Sequence, residues 1–233
     1  MKRILLFLLF LQCNLTFAQT YFNNYNPSGY SYEVIKVLYI KDTFYILSAS
    51  NCFGVIGCNY LIKADKYGKK IQKFQFTDYP YKKVGRDIIL DKDSNLVLIG
   101  TRGQSLDKNT IMIYKINLNG DSINVKYFDD TNIDREDADK IIQTRDSNYM
   151  IYAQRGVDYQ WARQFLIKAD RKGNKLWEKR IDGDTLGKYT IYQYGNNLFE
   201  LENGDFWMSY NIEPYVLGYD EYAGIIRTDS LRE

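Results

Sequence analysis

Two thiols six residues apart, in Cys52-Phe53-Gly54-Val55-Ile56-Gly57-Cys58, are the first groups whose type and spacing offer chemistry. In an exported chain an isolated pair this close reads as a disulfide, and the further ligands that a metal site needs do not stand nearby. Asp91-Lys92-Asp93-Ser94-Asn95 opens like a calcium loop, with alternating oxygen-bearing side chains. Leu96 then stands where the loop wants glycine and Arg102 where it wants its closing acid, so a tight turn is the better reading. Asp129, Asp130, Asp134, Glu136, Asp137 and Asp139 form an acidic stretch, read as a solvated link. The chain has no histidine, which removes Ser–His triads, histidine general bases and histidine-ligated metals. No Asp/Glu pair stands above the others, so the sequence assigns no catalytic residue, no metal and no cofactor.

The segment 1–18 reads as a signal peptide, with Lys2 and Arg3 before the apolar Ile4–Leu11 and Phe17-Ala18 before Gln19. Phe10, Leu11 and Gln12 replace the small residues a lipoprotein would place before Cys13. The expected destination is outside the cytoplasm: secreted, periplasmic or at the outer surface. Beyond the leader no stretch is apolar enough to span a membrane. The leader takes two of the 31 basic residues, leaving 29 against 29 acidic ones. A neutral chain has no global electrostatic reason to bind nucleic acid.

The elements that must hold any site come from a repeat. Leu61-Ile62-Lys63-Ala64-Asp65 with Gly68 returns as Ile113-Tyr114-Lys115-Ile116-Asn117 with Gly120, then as Leu166-Ile167-Lys168-Ala169-Asp170 with Gly173. A fourth version, Ile225-Ile226-Arg227-Thr228-Asp229, has Arg232 in the glycine position. A second motif, Asp91–Gly103, recurs as Thr144–Gly156. Two motifs sharing a period near 53 residues predict tandem units, at about 32–78, 85–130, 138–182 and 190–233. Within the second unit, Arg86–Leu90, Leu96–Thr101, Thr110–Asn117 and Ser122–Phe128 read as four strands. Ile111-Met112-Ile113 is apolar without alternation, so both faces of its sheet should be covered. The expected fold is all-β: a β-propeller-like array of about four four-stranded antiparallel blades with the last incomplete, the alternative being a β-sandwich. Residues 19–31 could close the ring beside Ile225–Thr228. Otherwise the chain is a partial propeller, whose C-terminal edge strand invites self-association.

The pattern of two apolar residues, Lys, any residue, Asp, then Gly-Asn and Trp, followed by Asp-x-x-Asn, resembles the blade repeats of secreted bacterial β-propeller proteins. Asp170, Gly173, Asn174 and Trp177 fit it best. The Gly173-to-Trp177 spacing also resembles that of quinone-dependent dehydrogenase propellers and of sialidase-type Asp boxes. The Asp-to-Gly spacing departs from both, and the other units lack the tryptophan, so Trp177 reads as packing. The resemblance implies a face of long loops that carries ligands. On it the sequence places Phe53, Arg155, Asp158, Tyr159, Trp161, Tyr215, Tyr219 and Tyr222 as the candidate binding residues, with Arg163 and Asp220 nearby. Flat rings beside charged groups suit a protein or a glycan. The expected function is a secreted or cell-surface non-enzymatic binding or scaffold module. The alternatives are a glycan-active or quinone-dependent propeller enzyme, or a remnant of a longer propeller protein.

Overall fold

The computed structural model describes residues 32–52, 55–76, 82–103, 109–128, 135–156, 163–181, 190–214 and 222–228. The segment 1–31, including the expected leader and closing strand, lies outside them. Four antiparallel sheets follow one another along the chain. The first holds β1 (Tyr32–Ile40), β2 (Thr43–Cys52), β3 (Val55–Asp65) and β4 (Lys70–Phe76) in that order. The second holds β5 (Lys82–Leu90), β6 (Leu96–Gly103), β7 (Asn109–Ile116) and β8 (Ser122–Phe128). The third holds β9 (Arg135–Gln143), β10 (Tyr149–Gly156), β11 (Arg163–Ala169) and β12 (Lys175–Arg180). The fourth has β13 (Thr190–Glu200), β14 (Phe206–Pro214) and β15 (Tyr222–Thr228) among the described residues.

The repeated motif owes its form to a turn. Asp65, Asn117 and Asp170 each accept, through Oδ1, the backbone N–H groups two and four residues on, at 2.8–2.9 Å. The turn then needs a left-handed residue at its fourth position, supplied by Gly68, Gly120 and Gly173 at φ 76°, 95° and 78°. A side chain there would be strained. The turn after β5 uses Asp91 in the same way, with Ser94 at φ 61°.

The sheets stack face to face, and three apolar clusters fill the gaps. Between the first and second sheets, Tyr45, Leu47 and Leu61 meet Ile88, Leu96, Leu98 and Met112. Val97, Ile99, Ile111 and Ile113 meet Ile141, Tyr149, Ile151 and Ile167 at the next gap. At the third, Met150, Tyr152 and Leu166 meet Leu198, Phe206 and Met208. Ile111 and Ile113 therefore point to the third sheet while Met112 points back to the first. That is why this strand does not alternate. Four separate sheets stacked in sequence set aside the two-sheet sandwich.

Register repeats as closely as sequence does. Each first strand carries a β-bulge at the same place, where the register steps past Ile35, Arg86, Asp139 and Asn196. A bulge bends its strand and re-aims neighbouring side chains. In the first sheet, β2 and β3 pair as far as Cys52 and Val55. Likewise β14 pairs through Pro214.

Candidate functional site

The first strands of successive sheets approach one another, so residues just after their bulges face the centre of the array. The position following each bulge carries Lys36, Asp87, Lys140 and Asn197 in turn. Asp87 is buried and ties three sheets together. Its Oδ1 meets Lys36 Nζ of the first sheet at 2.6 Å and the N–H of Ile88 at 2.9 Å. Its Oδ2 accepts the N–H of Ile141, in the third sheet, at 3.1 Å.

A second buried polar group sits at the loop end of the third sheet. Glu136, Asp137, Asp139, Gln154, Arg155 and Gln164 are all buried there. Arg155 Nε lies 2.7 Å from Glu136 Oε1, and its Nη1 also engages the Glu178 carboxylate. The guanidinium lies over the Phe165 ring, 5.2 Å from its centroid. Burial works to raise the pKa of Glu178, but Lys175 and Arg155 outweigh it and hold the carboxyl below the ordinary range. Two bonds cross to the second sheet. Thr101 Oγ1 donates to Asp137 at 3.0 Å, and the Ile111 N–H donates to Glu136 Oε2 at 3.3 Å. The acidic stretch read as a solvated link is thus half inside the molecule: Glu136, Asp137 and Asp139 belong to β9.

At the opposite end, the turns carry their own network. Tyr149 donates its hydroxyl proton to Asp91 Oδ2 at 2.9 Å, and Lys115 Nζ lies 2.7 Å from the same oxygen. Burial of Asp91 raises its pKa, yet the bonds from Lys115, Asn95 and Tyr149 together bring it below the ordinary value. For Tyr149, burial first and the bond to Asp91 second push the pKa well up. Between the second and third sheets on this side lies an open groove of about 560 Å³. Lys115, Lys126, Arg171 and Lys172 line it with Asp93. Arg171 is committed to Asp93 through two bonds, at 2.5 and 2.6 Å.

Of the residues expected to bind ligand, Phe53, Asp158, Tyr159, Trp161, Tyr215 and Tyr219 lie outside the described residues. Tyr222 opens β15 opposite Ile212, with its side chain outside the description. Arg155 is described, and it is turned into the sheet stack, 3 % exposed. For the two cysteines only the backbone is described. Cys58 stands opposite Ser50 and Cys52 opposite Val55, so the two cysteines are not direct ladder partners. Trp177 packs against the third cluster, as its reading as a packing residue expects. The sequence reading did not single out Asp87. Its only signal was one acid directly before the apolar run Ile88-Ile89-Leu90.

No protein-family model and no curated protein matches the chain. Solved structures do. A protein of unknown function from Dyadobacter fermentans aligns over 75% of this chain at 12% identity and TM-score 0.51. A xylan β-1,4-xylosidase from Bacillus halodurans aligns over 82% at 15% identity and TM-score 0.50. A GH43 β-1,3-galactosidase, solved with galactodeoxynojirimycin, aligns over 82% at 14% identity and TM-score 0.51. The chain spans 55%, 40% and 70% of these three proteins. The likeness is one of fold: the four stacked sheets have the arrangement of β-propeller glycosidases, and the sheet order agrees with it.

Proposed function

We propose that the chain is an exported, non-enzymatic binding module that presents its long loops to a glycan. The observation that carries this reading is the state of the buried carboxylates. Asp87 is compensated by Lys36 and two N–H groups, Glu136 by Arg155, and Asp137 is held by Thr101. Acids engaged in this way join sheet to sheet. A glycosidase pair would instead be two carboxyl groups facing one substrate space, one kept protonated and one ionised. The absence of histidine and of a nucleophile motif supports the same choice. The glycan as ligand rests on the aromatic content of the loops, with Tyr159, Trp161 and Tyr219 foremost, and on the substrates of the two glycosidases of like fold. Rings stacked on sugars supply contact area at low conformational cost.

A glycan array probed with the purified chain tests this reading. Binding should be detectable, and Tyr159→Ala, Trp161→Ala and Tyr219→Ala should weaken it about tenfold or more without lowering thermal stability. An array without signal, or binding indifferent to all three substitutions, would remove the proposal. A glycan-active enzyme is the second reading, favoured by the two glycosidases alone.

A further inference from the structure

The two outer faces of the array are the two halves of its internal interface. Each sheet sends a rear face forward to the next sheet. In register, the rear positions are Leu38, Tyr45 and Leu61 in the first sheet, then Ile89, Val97 and Ile113, then Ile142, Met150 and Leu166. All nine pack into the clusters between sheets. The fourth sheet carries Phe199, Trp207 and Ile225 at these positions. Here they are 57%, 40% and 67% exposed.

The front face shows the mirror situation. Ile88, Ile141 and Leu198 occupy one front position in the second to fourth sheets, and all three are buried against the sheet before. The first sheet has Val37 there, 47% exposed, with Tyr39 beside it at 56%. Phe44 and Ile46, half-buried, continue this face, while Ile62 on its far side is covered. Among the described residues no apolar cluster joins the fourth sheet to the first. Aromatic and aliphatic side chains left this exposed on one contiguous face mark an interaction surface.

We propose that a second copy of this chain covers the open rear face, docking head to tail so that its Val37–Tyr39 front meets Phe199, Trp207 and Ile225. The occupant follows from continuity. The same register positions already join three pairs of sheets within the chain, and a copy of the chain is the partner that holds the matching half. Net charge does not oppose it, at 29 basic against 29 acidic residues outside the expected leader. The contact is between faces, a different surface from the β15 edge that the sequence suggested. A face-to-face contact of unlike surfaces is heterologous, so it leads to a closed ring or to an open chain of copies. This inference does not depend on the glycan reading.

Sedimentation velocity over a wide concentration range tests it, with Ile225→Glu blocking the rear and Val37→Glu blocking the front. Each variant alone should be a monomer, and an equimolar mixture should form a discrete one-to-one dimer through the one intact front and the one intact rear. The dissociation constant of the wild type should be at least about tenfold below that of either variant alone. Wild-type chain that stays monomeric throughout would overturn the proposal. So would Val37→Glu associating with itself, which would mean rear-to-rear contact, or a mixture that fails to pair. Both side chains are exposed, so the fold should survive, as circular dichroism will report. Should either variant unfold, Trp207→Gln and Tyr39→Ser serve as the rear and front blocks, with the same outcomes deciding.

Discussion

Replacing Asp91 with asparagine should destabilise the protein by about 2 kcal/mol at neutral pH, the size of one charge-assisted hydrogen bond. The estimate follows from which contacts survive. Oδ1 accepts the N–H groups of Asp93 and Asn95 at 2.9 and 2.8 Å, and an amide oxygen can keep both. Oδ2 meets Lys115 Nζ at 2.7 Å and the Tyr149 hydroxyl at 2.9 Å. An amide nitrogen there turns the Lys115 contact repulsive, while Tyr149 can rotate its proton and accept. Lys115 retains Tyr149 Oη at 3.2 Å and the Arg171 carbonyl at 3.4 Å, which limits the loss. Asp91→Ala gives up the turn bonds as well, and should cost about 4 kcal/mol. For a chain of this length, 2 kcal/mol corresponds to a Tm lower by about 4–8 °C. The pH dependence fixes the mechanism. The folded pKa of Asp91 lies below its unfolded value, so its stabilisation is present above the ordinary carboxylate range and is lost as pH falls through the lowered folded pKa. The gap between wild type and Asp91→Asn, measured by urea unfolding at a series of pH values, should therefore be widest near neutrality and close in acid. A gap under about 0.5 kcal/mol at neutral pH, or one unchanged in acid, would refute the assignment of Asp91 as an ionised link between sheets.

Other substitutions read other parts of the frame. Gly120→Ala places a methyl 1.8 Å from the Phe74 ring at φ 95°, and thermal melts should show a loss of about 3 kcal/mol. Arg155→Met strands Glu136 in the interior and should cost about 3–5 kcal/mol, with Glu136→Gln in the same chain restoring much of it. A ligand-binding Arg155 would instead lose binding and keep its stability. Ile226 packs toward the third sheet while Ile225 faces outward, so Ile226→Lys should lower the urea midpoint clearly and Ile225→Lys hardly at all.

The parts legible in the sequence are those set by local rules. The Asp and Gly of Leu166–Gly173 state a turn by themselves, because acceptor and left-handed residue lie within one motif. Ile111-Met112-Ile113 announced a sheet covered on both faces, since alternation fails only when both sides are apolar. The central polar residues were not legible in the same way. Asp87 matters because Lys36 and Ile141, each more than fifty positions away, converge on it, and no spacing rule connects them. The recurrent bulge was hidden for a similar reason. One extra residue slips the alternation by one step, and in a strand as polar as Arg135–Gln143 that slip looks like noise.

The measurement closest to the central claim is product release during prolonged incubation with xylo-oligosaccharides and β-1,3-galactosides, alongside binding of the same sugars by calorimetry. The account predicts binding of a glycan without release above the buffer control, and no change in that binding on Asp137→Asn, since Asp137 is tied to Thr101 inside the stack. Sugar release by the wild type that Asp137→Asn or Glu136→Gln abolishes, in a variant that still folds, would contradict it and make these acids catalytic.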